Sequence, residues 1–245
     1  MWKRTKNRIG EKFVTNKGYK VEIIDYTPYL NCTIKFEDGT ILKNITYQNL
    51  QKGEVRYPNQ PTICNIGYIG MGNYTSSLNG RDTKVYITWV HMLKRCYDEK
   101  QQQLYPSYID CNVDVIWHNF QNFAKWYEDN YIEGYHLDKD ILVKGNRIYG
   151  PDTCCFVPRE INTLFPIKRE NIQVRKNRNN KYRYRAVLGT SKGVKSLGTY
   201  NSFDEASAVY CRAKQNYIKY IAEKYRDKIS SRVYNALINY KVTIN

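Results

Sequence analysis

Basic residues concentrate in one segment near the C-terminal end of the sequence. Residues 171–200 contain eight lysines and arginines and no aspartate or glutamate: Arg175, Lys176, Arg178, Lys181, Arg183, Arg185, Lys192 and Lys195. Arginine can make two parallel hydrogen bonds to a guanine edge, whereas lysine attracts phosphate as a point charge. This run of charge predicts a surface for a polyanion, and a solvated basic face without a ligand is the alternative.

The charge of the whole chain points to the same class of partner. The 245 residues include 39 Lys and Arg against 23 Asp and Glu, a formal net charge of +16. DNA and RNA are the commonest soluble polyanions. The sequence offers no long apolar helix or amphipathic anchor, so we expect no membrane partner. Residues 1–8 are basic and lack the apolar stretch of a secretory signal, which predicts a cytoplasmic protein that is not secreted.

The cysteines do not suggest a metal centre. There are seven of them, an odd number, and no pair has the C-x-x-C spacing typical of zinc sites. We therefore expect reduced thiols.

The basic residues fall on a predicted sheet that is backed by a helix. Residues 182–188 alternate as a strand, and residues 194–200 are the expected hairpin partner across 189–193. In such a strand Arg183 and Arg185 share one face, while Tyr182, Tyr184 and Ala186 share the other. A capping-box pattern begins a helix at Ser202, and its apolar face is expected to lie across the sheet.

The rest of the chain shows weaker patterns. Short alternating runs at 19–24, 32–36 and 41–47, with an Asp-Gly turn after the second, predict a small antiparallel β module. Residues 58–81 have no clear periodicity and are expected to form a connecting segment with turns. Apolar stripes predict helices at 85–97 and 119–131. These stripes are more typical of core than of a binding surface.

The C-terminal pattern resembles a known DNA-binding family. The segments YRAV (184–187), KSLGTY (195–200) and FDEA (203–206), followed by Tyr210, are similar to the Apetala/ethylene-response-factor domain. That family places a three-stranded sheet in the major groove, with one helix packed behind it. The resemblance implies six DNA contacts: Arg175, Arg178, Arg183, Arg185, Lys192 and Lys195. The tryptophans of the plant members are absent, so their base preferences do not transfer.

The middle of the chain resembles HNH homing-endonuclease-like proteins of bacteriophages. The resemblance runs through WVHMLKRCY (89–97), residues 117–123, LDKD (137–140), YGPDTCCFVP (149–158) and EIN (160–162). Such nucleases fold two strands and a helix around one divalent metal. For a phage-encoded protein, the expected location is the cytoplasm of the host cell.

The HNH resemblance implies a set of catalytic residues, with one departure. The family places a histidine directly after a metal-binding aspartate, but here Lys139 follows Asp138. Lysine at its ordinary pKa is not a general base near neutral pH. His136, on the same side of a strand as Asp138, is the substitute base. Asp138, Asp140 and Asn162 are the expected oxygen ligands of Mg²⁺ or another divalent cation.

The Asp138-Lys139-Asp140 sequence also has a structural explanation. Both aspartates would then lie at a turn and pair with Lys144 or Arg147. A calcium loop is excluded, because Leu142 and Val143 stand where an oxygen ligand and a glycine are required.

Together these patterns predict an α+β protein of several domains. The expected parts are a small antiparallel β module with a basic tail (1–58), a linker (59–83), an HNH-like ββα module with flanking helices (84–168), a three-stranded sheet packed on one helix (169–228) and a C-terminal tail (229–245). A drop in acidic residues puts the last inter-domain boundary near 166–170.

Three functions are compatible with this organisation. The first is a sequence-specific DNA-binding protein that also nicks or cleaves DNA with a metal ion. The second is a catalytically degenerate DNA-binding or regulatory protein. The third is a structural protein that binds RNA or ribonucleoprotein. Double-stranded DNA is the expected partner, RNA is the alternative, and the oligomeric state is not indicated.

Overall fold

The computed structural model describes residues 7–27, 31–165, 171–176, 178 and 180–244. The fold is α+β, with several small sheets and mostly short helices, as the sequence predicts. By their contacts the residues group into two compact units. The first lies within 1–62 and 68–71, and the second within 63–67 and 72–245.

The first unit is a four-stranded antiparallel sheet. Its strands follow chain order: β1 (Lys12–Val14), β2 (Lys20–Tyr26), β3 (Cys32–Phe36) and β4 (Ile41–Ile45). Alternate residues of β2 and β3, among them Val21, Ile23 and Ile34, are buried in its core. The period-2 pattern therefore predicted the strands β2 and β3.

One prediction in this unit is wrong. The third run was expected to continue to Tyr47, but β4 ends at Ile45 and a helix α1 (Tyr47–Lys52) follows. The Thr46 side chain caps this helix by accepting a hydrogen bond from the Asn49 amide. Six residues are too few to show a helical period, so the local signals were limited to Thr46 at its start and Gly53 at its end.

The second unit holds the other elements. In chain order they are β5 (Ser77–Leu78), β6 (Arg81–Asp82), α2 (Lys84–Tyr97), α3 (Glu99–Leu104), β7 (Asn112–Val113), α4 (Phe120–Asn130), β8 (Tyr135–Asp138), β9 (Ile148–Tyr149), β10 (Cys155–Pro158), α5 (Arg159–Asn162), β11 (Ile172–Lys176), β12 (Tyr182–Thr190), β13 (Gly193–Tyr200), α6 (Phe203–Lys224) and α7 (Ser231–Ile238).

Helices α2 and α4 match the two predicted apolar stripes and pack through aromatic side chains. Trp89 is fully buried, and its ring centroid lies 5.4 Å from that of Phe120. Its Nε1 donates a 2.7 Å hydrogen bond to the Trp117 carbonyl. Gly67 packs so tightly on α2 that a Cβ there would lie 2.4 Å from Leu93 Cδ1. Residues 63–67 of the expected linker therefore pack against α2.

A β-strand pair followed by a short helix lies next in the chain. Strand β8 pairs antiparallel with β10, with His136 opposite Val157 and Asp138 opposite Cys155. Helix α5 begins directly after β10 and carries Asn162 at its end. This strand–strand–helix order brings the predicted catalytic and metal-binding positions onto neighbouring elements.

The C-terminal sheet has the order β11-β12-β13, all antiparallel, and α6 packs on one of its faces. The contacts are made by Ile172, Ala186 and Leu188 from the sheet and by Ala206 and Tyr210 from the helix. The capping prediction at the start of α6 is confirmed, since Ser202 Oγ accepts a 3.2 Å hydrogen bond from the Glu205 amide.

One hydrophobic core joins the middle of the chain to its C-terminal part. Val157 and Ile161, from β10 and α5, share it with Tyr210 of α6. Helix α7, in the segment expected to be a tail, adds Val233 and Leu237. The boundary expected at 166–170 lies outside the described residues.

Candidate nucleic-acid interface and polar cavity

The face of the C-terminal sheet that lies away from α6 carries three arginines. Arg183 and Arg185 share a face of β12, as their alternation predicts, because Tyr184 between them and Ala186 after them pack toward the core. Arg175 of β11 stands directly opposite Arg183, and directly opposed residues share a face of the sheet. The three guanidinium groups therefore belong to one surface, called here the arginine face.

Neutral partners hold two of these side chains in place. Arg185 Nε donates a 3.2 Å hydrogen bond to Ser196 Oγ on β13. Arg183 Nη1 donates to Asn201 Oδ1, just before α6. Both arginines are half-buried. Because neither partner is charged, each arginine keeps its full positive charge toward solvent.

The other predicted contacts lie elsewhere on the same domain. Arg178 and Lys192 are exposed in the two turns of the sheet. Lys195 is exposed but stands opposite the core residue Leu188, because the register shifts by one residue after Ala186. Lys195 therefore belongs to the helix side at the end of the sheet, and not to the arginine face.

No carboxylate neutralises these cations within the described part of the chain. Counting only partners among the described residues, none of the six predicted contact residues takes part in an ion pair of 4.0 Å or less. Basic side chains without acidic partners create a positive potential that attracts polyanions.

A polar cavity of ≈ 410 Å³ lies against strand β8. His136, Asp138, Asp140 and Asn162, the four residues that the HNH resemblance implies, all line it. Helix α2 forms another wall. The cavity thus gathers the predicted catalytic residues at one place, which sequence spacing alone did not require.

Asp138 is committed to the turn that follows β8. Its Oδ1 accepts hydrogen bonds from the backbone amides of Asp140 (2.7 Å) and Ile141 (2.9 Å). The residue is only 8% exposed, and this burial raises the pKa of its carboxyl group, although the two amides oppose the shift. Part of its hydrogen-bonding capacity therefore stabilises the chain itself.

Lys139 pairs with the second aspartate. The lysine is buried, and its Nζ lies 2.6 Å from Asp140 Oδ1 and 3.1 Å from the Asn146 carbonyl oxygen. Burial alone would lower the pKa of Lys139, but the hydrogen bond and charge of Asp140 outweigh it, so the pKa is raised. Lys139 remains an ammonium group near neutral pH and is not a general base.

The structural explanation of the two aspartates named the wrong partners. Lys144 Nζ instead donates to the Lys241 carbonyl oxygen at 2.9 Å. Arg147 pairs with Asp110 at 3.6 Å. The turn itself is as expected, but Lys139 supplies the positive charge, because the chain folds it inward rather than toward solvent.

These contacts bear on metal binding. Among the described residues, no three side chains of His, Cys, Asp or Glu are grouped closely enough to hold an ion. One oxygen of Asp138 is taken by backbone amides, and Asp140 is bound by an ammonium group. The residues present therefore do not form a preassembled Mg²⁺ site. The seven cysteines are free thiols.

Helix α2 contributes cavity residues that sequence reasoning missed. Lys84, Thr88, His91 and Arg95 line the cavity and recur at helical spacing, opposite the buried stripe of Trp89 and Leu93. The polar stripe was visible in the sequence. Its position on the cavity was not, because an exposed polar stripe is the ordinary outer face of an amphipathic helix.

A comparison of the chain with protein-family models, with curated proteins and with solved structures found no match. Among the described residues, no helix is both long and apolar enough to cross a membrane.

Proposed function

We propose that this protein binds double-stranded DNA through the arginine face of its C-terminal sheet. The observation that carries the proposal is the grouping of Arg175, Arg183 and Arg185 on the open side of a sheet, with no carboxylate paired to them among the described residues. Three full charges on one face provide both phosphate attraction and donors for base edges.

The shape of this surface favours a duplex partner. A narrow antiparallel ribbon fits the major groove of B-DNA, where each base pair presents a distinct pattern of donors and acceptors. Arginines fixed by Ser196 and Asn201 lose little further conformational freedom on binding. The resemblance to the Apetala/ethylene-response-factor domain supports the same assignment. RNA is the competing ligand. It is disfavoured because the deep, narrow major groove of an RNA duplex does not admit a sheet.

Paired substitutions test this proposal. Arg183→Ala with Arg185→Ala removes two charges from the arginine face, and each good base contact is worth about 1–3 kcal/mol. Arg212→Ala with Lys219→Ala removes the same charge from exposed positions on α6, behind the sheet. Duplex binding should weaken strongly in the first variant and little in the second. Equal effects would point to nonspecific charge, and tighter binding of competitor RNA than of duplex DNA would contradict the choice of ligand.

A second candidate function is metal-dependent nicking of the bound DNA. It is favoured by one observation: His136, Asp138, Asp140 and Asn162 line a single cavity. Against it, Lys139 Nζ lies 2.6 Å from Asp140 Oδ1 and competes with Mg²⁺ for that carboxylate. We therefore give priority to DNA binding without cleavage, as in a degenerate or regulatory member of the HNH-like group.

Plasmid nicking in the presence of Mg²⁺ separates the two candidates. The arrangement of Lys139 and Asp140 predicts that the wild-type protein leaves supercoiled plasmid intact. Nicking that is abolished by both Asp138→Ala and His136→Ala would establish the enzymatic alternative.

A further inference from the structure

A second cavity opens along the outer face of helix α2. It measures ≈ 440 Å³ and is lined by His91, Lys94, Arg95, Gln101, Tyr105 and Tyr108. His91, Arg95 and Tyr108 also line the cavity beside β8. The two cavities therefore lie next to each other at these three residues, and together they are called here the α2 groove.

The two ends of this groove differ in charge. The end at β8 contains the carboxylates Asp138 and Asp140 together with the side chains of Lys84 and Lys139. The end at α3 is lined by Lys94, Arg95 and His91 and by no carboxylate. The nearby Asp98 caps α3, accepting a 2.9 Å hydrogen bond from the Gln101 amide. An anionic ligand therefore meets carboxylates only at the β8 end, and the α3 end is the more favourable of the two.

Arg95 is held in place by aromatic groups rather than by an acid. Its guanidinium carbon lies 5.8 Å from the centre of the Tyr108 ring, and Tyr149 is a hydrogen-bond partner. Among the described residues, neither Lys94 nor Arg95 forms an ion pair. A half-buried guanidinium group whose direct partners are tyrosines is the arrangement that an incoming phosphate completes with charge-assisted hydrogen bonds.

We propose that Lys94 and Arg95 bind a backbone phosphate of the nucleic acid, at the basic end of the α2 groove. This inference rests on the proposed DNA binding and adds a second contact region, away from the arginine face. A strand that follows the groove would pass from the basic end toward His136 and Asp138 at the other end. The ligand chemistry is a phosphate monoanion, supplied by a strand rather than by free phosphate.

The salt dependence of binding tests the proposal. Each phosphate contact contributes about 0.9 to the magnitude of the slope of log K against log salt concentration. One contact therefore changes the affinity roughly eightfold for each tenfold change in salt concentration. Lys94→Gln and Arg95→Gln should each reduce the magnitude of the slope, by up to about 0.9 for the one shared phosphate. Lys100→Gln is the matched control, because this exposed lysine on α3 lines neither cavity. Lys94 is itself exposed, so its variant remains informative if Arg95→Gln unfolds the protein.

The outcomes separate this site from the proposed function. A slope that is unchanged in both variants, with binding still lost on removing Arg183 and Arg185, overturns the groove site and leaves the DNA-binding proposal intact. A wild-type protein without duplex affinity overturns both. Inorganic phosphate added at constant ionic strength should not compete. If it lowers wild-type affinity to the level of Lys94→Gln, the site takes free phosphate, and the strand assignment is wrong.

Discussion

Glu160 ties the helix beside the polar cavity to the end of the long C-terminal helix. Its Oε2 accepts hydrogen bonds from Lys224 Nζ at 2.5 Å and from the Tyr225 hydroxyl at 2.8 Å. The Glu160 side chain is 16% exposed, whereas Lys224 is 46% exposed. The contact joins residues that are far apart in sequence, so we expect its loss to affect the whole second unit.

We predict that Glu160→Ala lowers the free energy of unfolding by about 2 kcal/mol at pH 7. A hydrogen bond to a charged group contributes about 1.5–3 kcal/mol, and the exposed Lys224 contributes the least because solvent screens its charge. The Tyr225 hydroxyl loses its acceptor in a more buried setting than Lys224 does. We therefore expect most of the lost unfolding free energy to come from the Tyr225–Glu160 hydrogen bond. Glu160→Gln keeps the size and one acceptor, and should cost less.

The effect should also depend on pH. The hydrogen bond from Lys224, with support from Tyr225, lowers the pKa of Glu160 below its usual value. A carboxyl group with a lowered folded-state pKa contributes stability above its unfolded pKa, about 4.3, and loses it as pH falls through the folded pKa. The difference between wild type and Glu160→Ala should therefore shrink below pH 4.

Urea denaturation of Glu160→Ala, Tyr225→Phe and the double variant measures this directly. The double-variant cycle isolates the interaction between the two side chains. The reasoning is refuted if the effects of the two single variants simply add, or if Glu160→Ala unfolds within about 0.5 kcal/mol of the wild type, the range of an ordinary surface substitution.

Three further predictions follow from buried or paired side chains. Asp138→Asn keeps an acceptor for the amides of Asp140 and Ile141 but cannot ionise. Because the folded-state pKa of Asp138 is raised, the wild-type protein should lose stability as pH rises through that pKa. Urea denaturation of Asp138→Asn should not show this decline. Identical pH profiles for the two proteins would contradict the burial argument. Leu237→Ala in α7 should lower the free energy of unfolding by about 2–5 kcal/mol in thermal or urea denaturation, because Leu237 is fully buried in the shared core. A loss below about 1 kcal/mol would mean that α7 is dispensable for stability. The Asp38 carboxyl should titrate by NMR at a pKa of about 2, lowered mainly by the Tyr57 hydroxyl, and a midpoint near 4 would exclude that bond.

Local patterns predicted the elements that later bear on function. Period-2 alternation located β12 and put Arg183 and Arg185 on one face, because a strand's geometry leaves no other arrangement. Apolar stripes located α2, α4 and α6 to within a residue or two at most ends, since the buried face must repeat every 3.6 residues. Ser202 marked the start of α6 through its side-chain oxygen.

Long-range contacts limited the remaining predictions. Nothing local to Lys139 indicates that its ammonium group folds inward to Asp140 and the Asn146 carbonyl, because lysines are rarely buried. The shared core of Ile161 and Leu237 depends on packing between residues that lie 76 positions apart in the sequence. Lys195 lies away from the arginine face because the pairing register shifts after Ala186. The alternation of residues along a strand does not reveal such a bulge.

Photo-crosslinking of a duplex that carries reactive bases tests the central claim most directly, because it reports which surface touches the DNA. The account predicts crosslinked peptides that contain Arg175, Arg183 or Arg185, and loss of those crosslinks in the Arg183→Ala and Arg185→Ala double variant. Crosslinks confined to the outer side of α6, around Arg212 and Lys219, or to the four-stranded sheet of the first unit would contradict it.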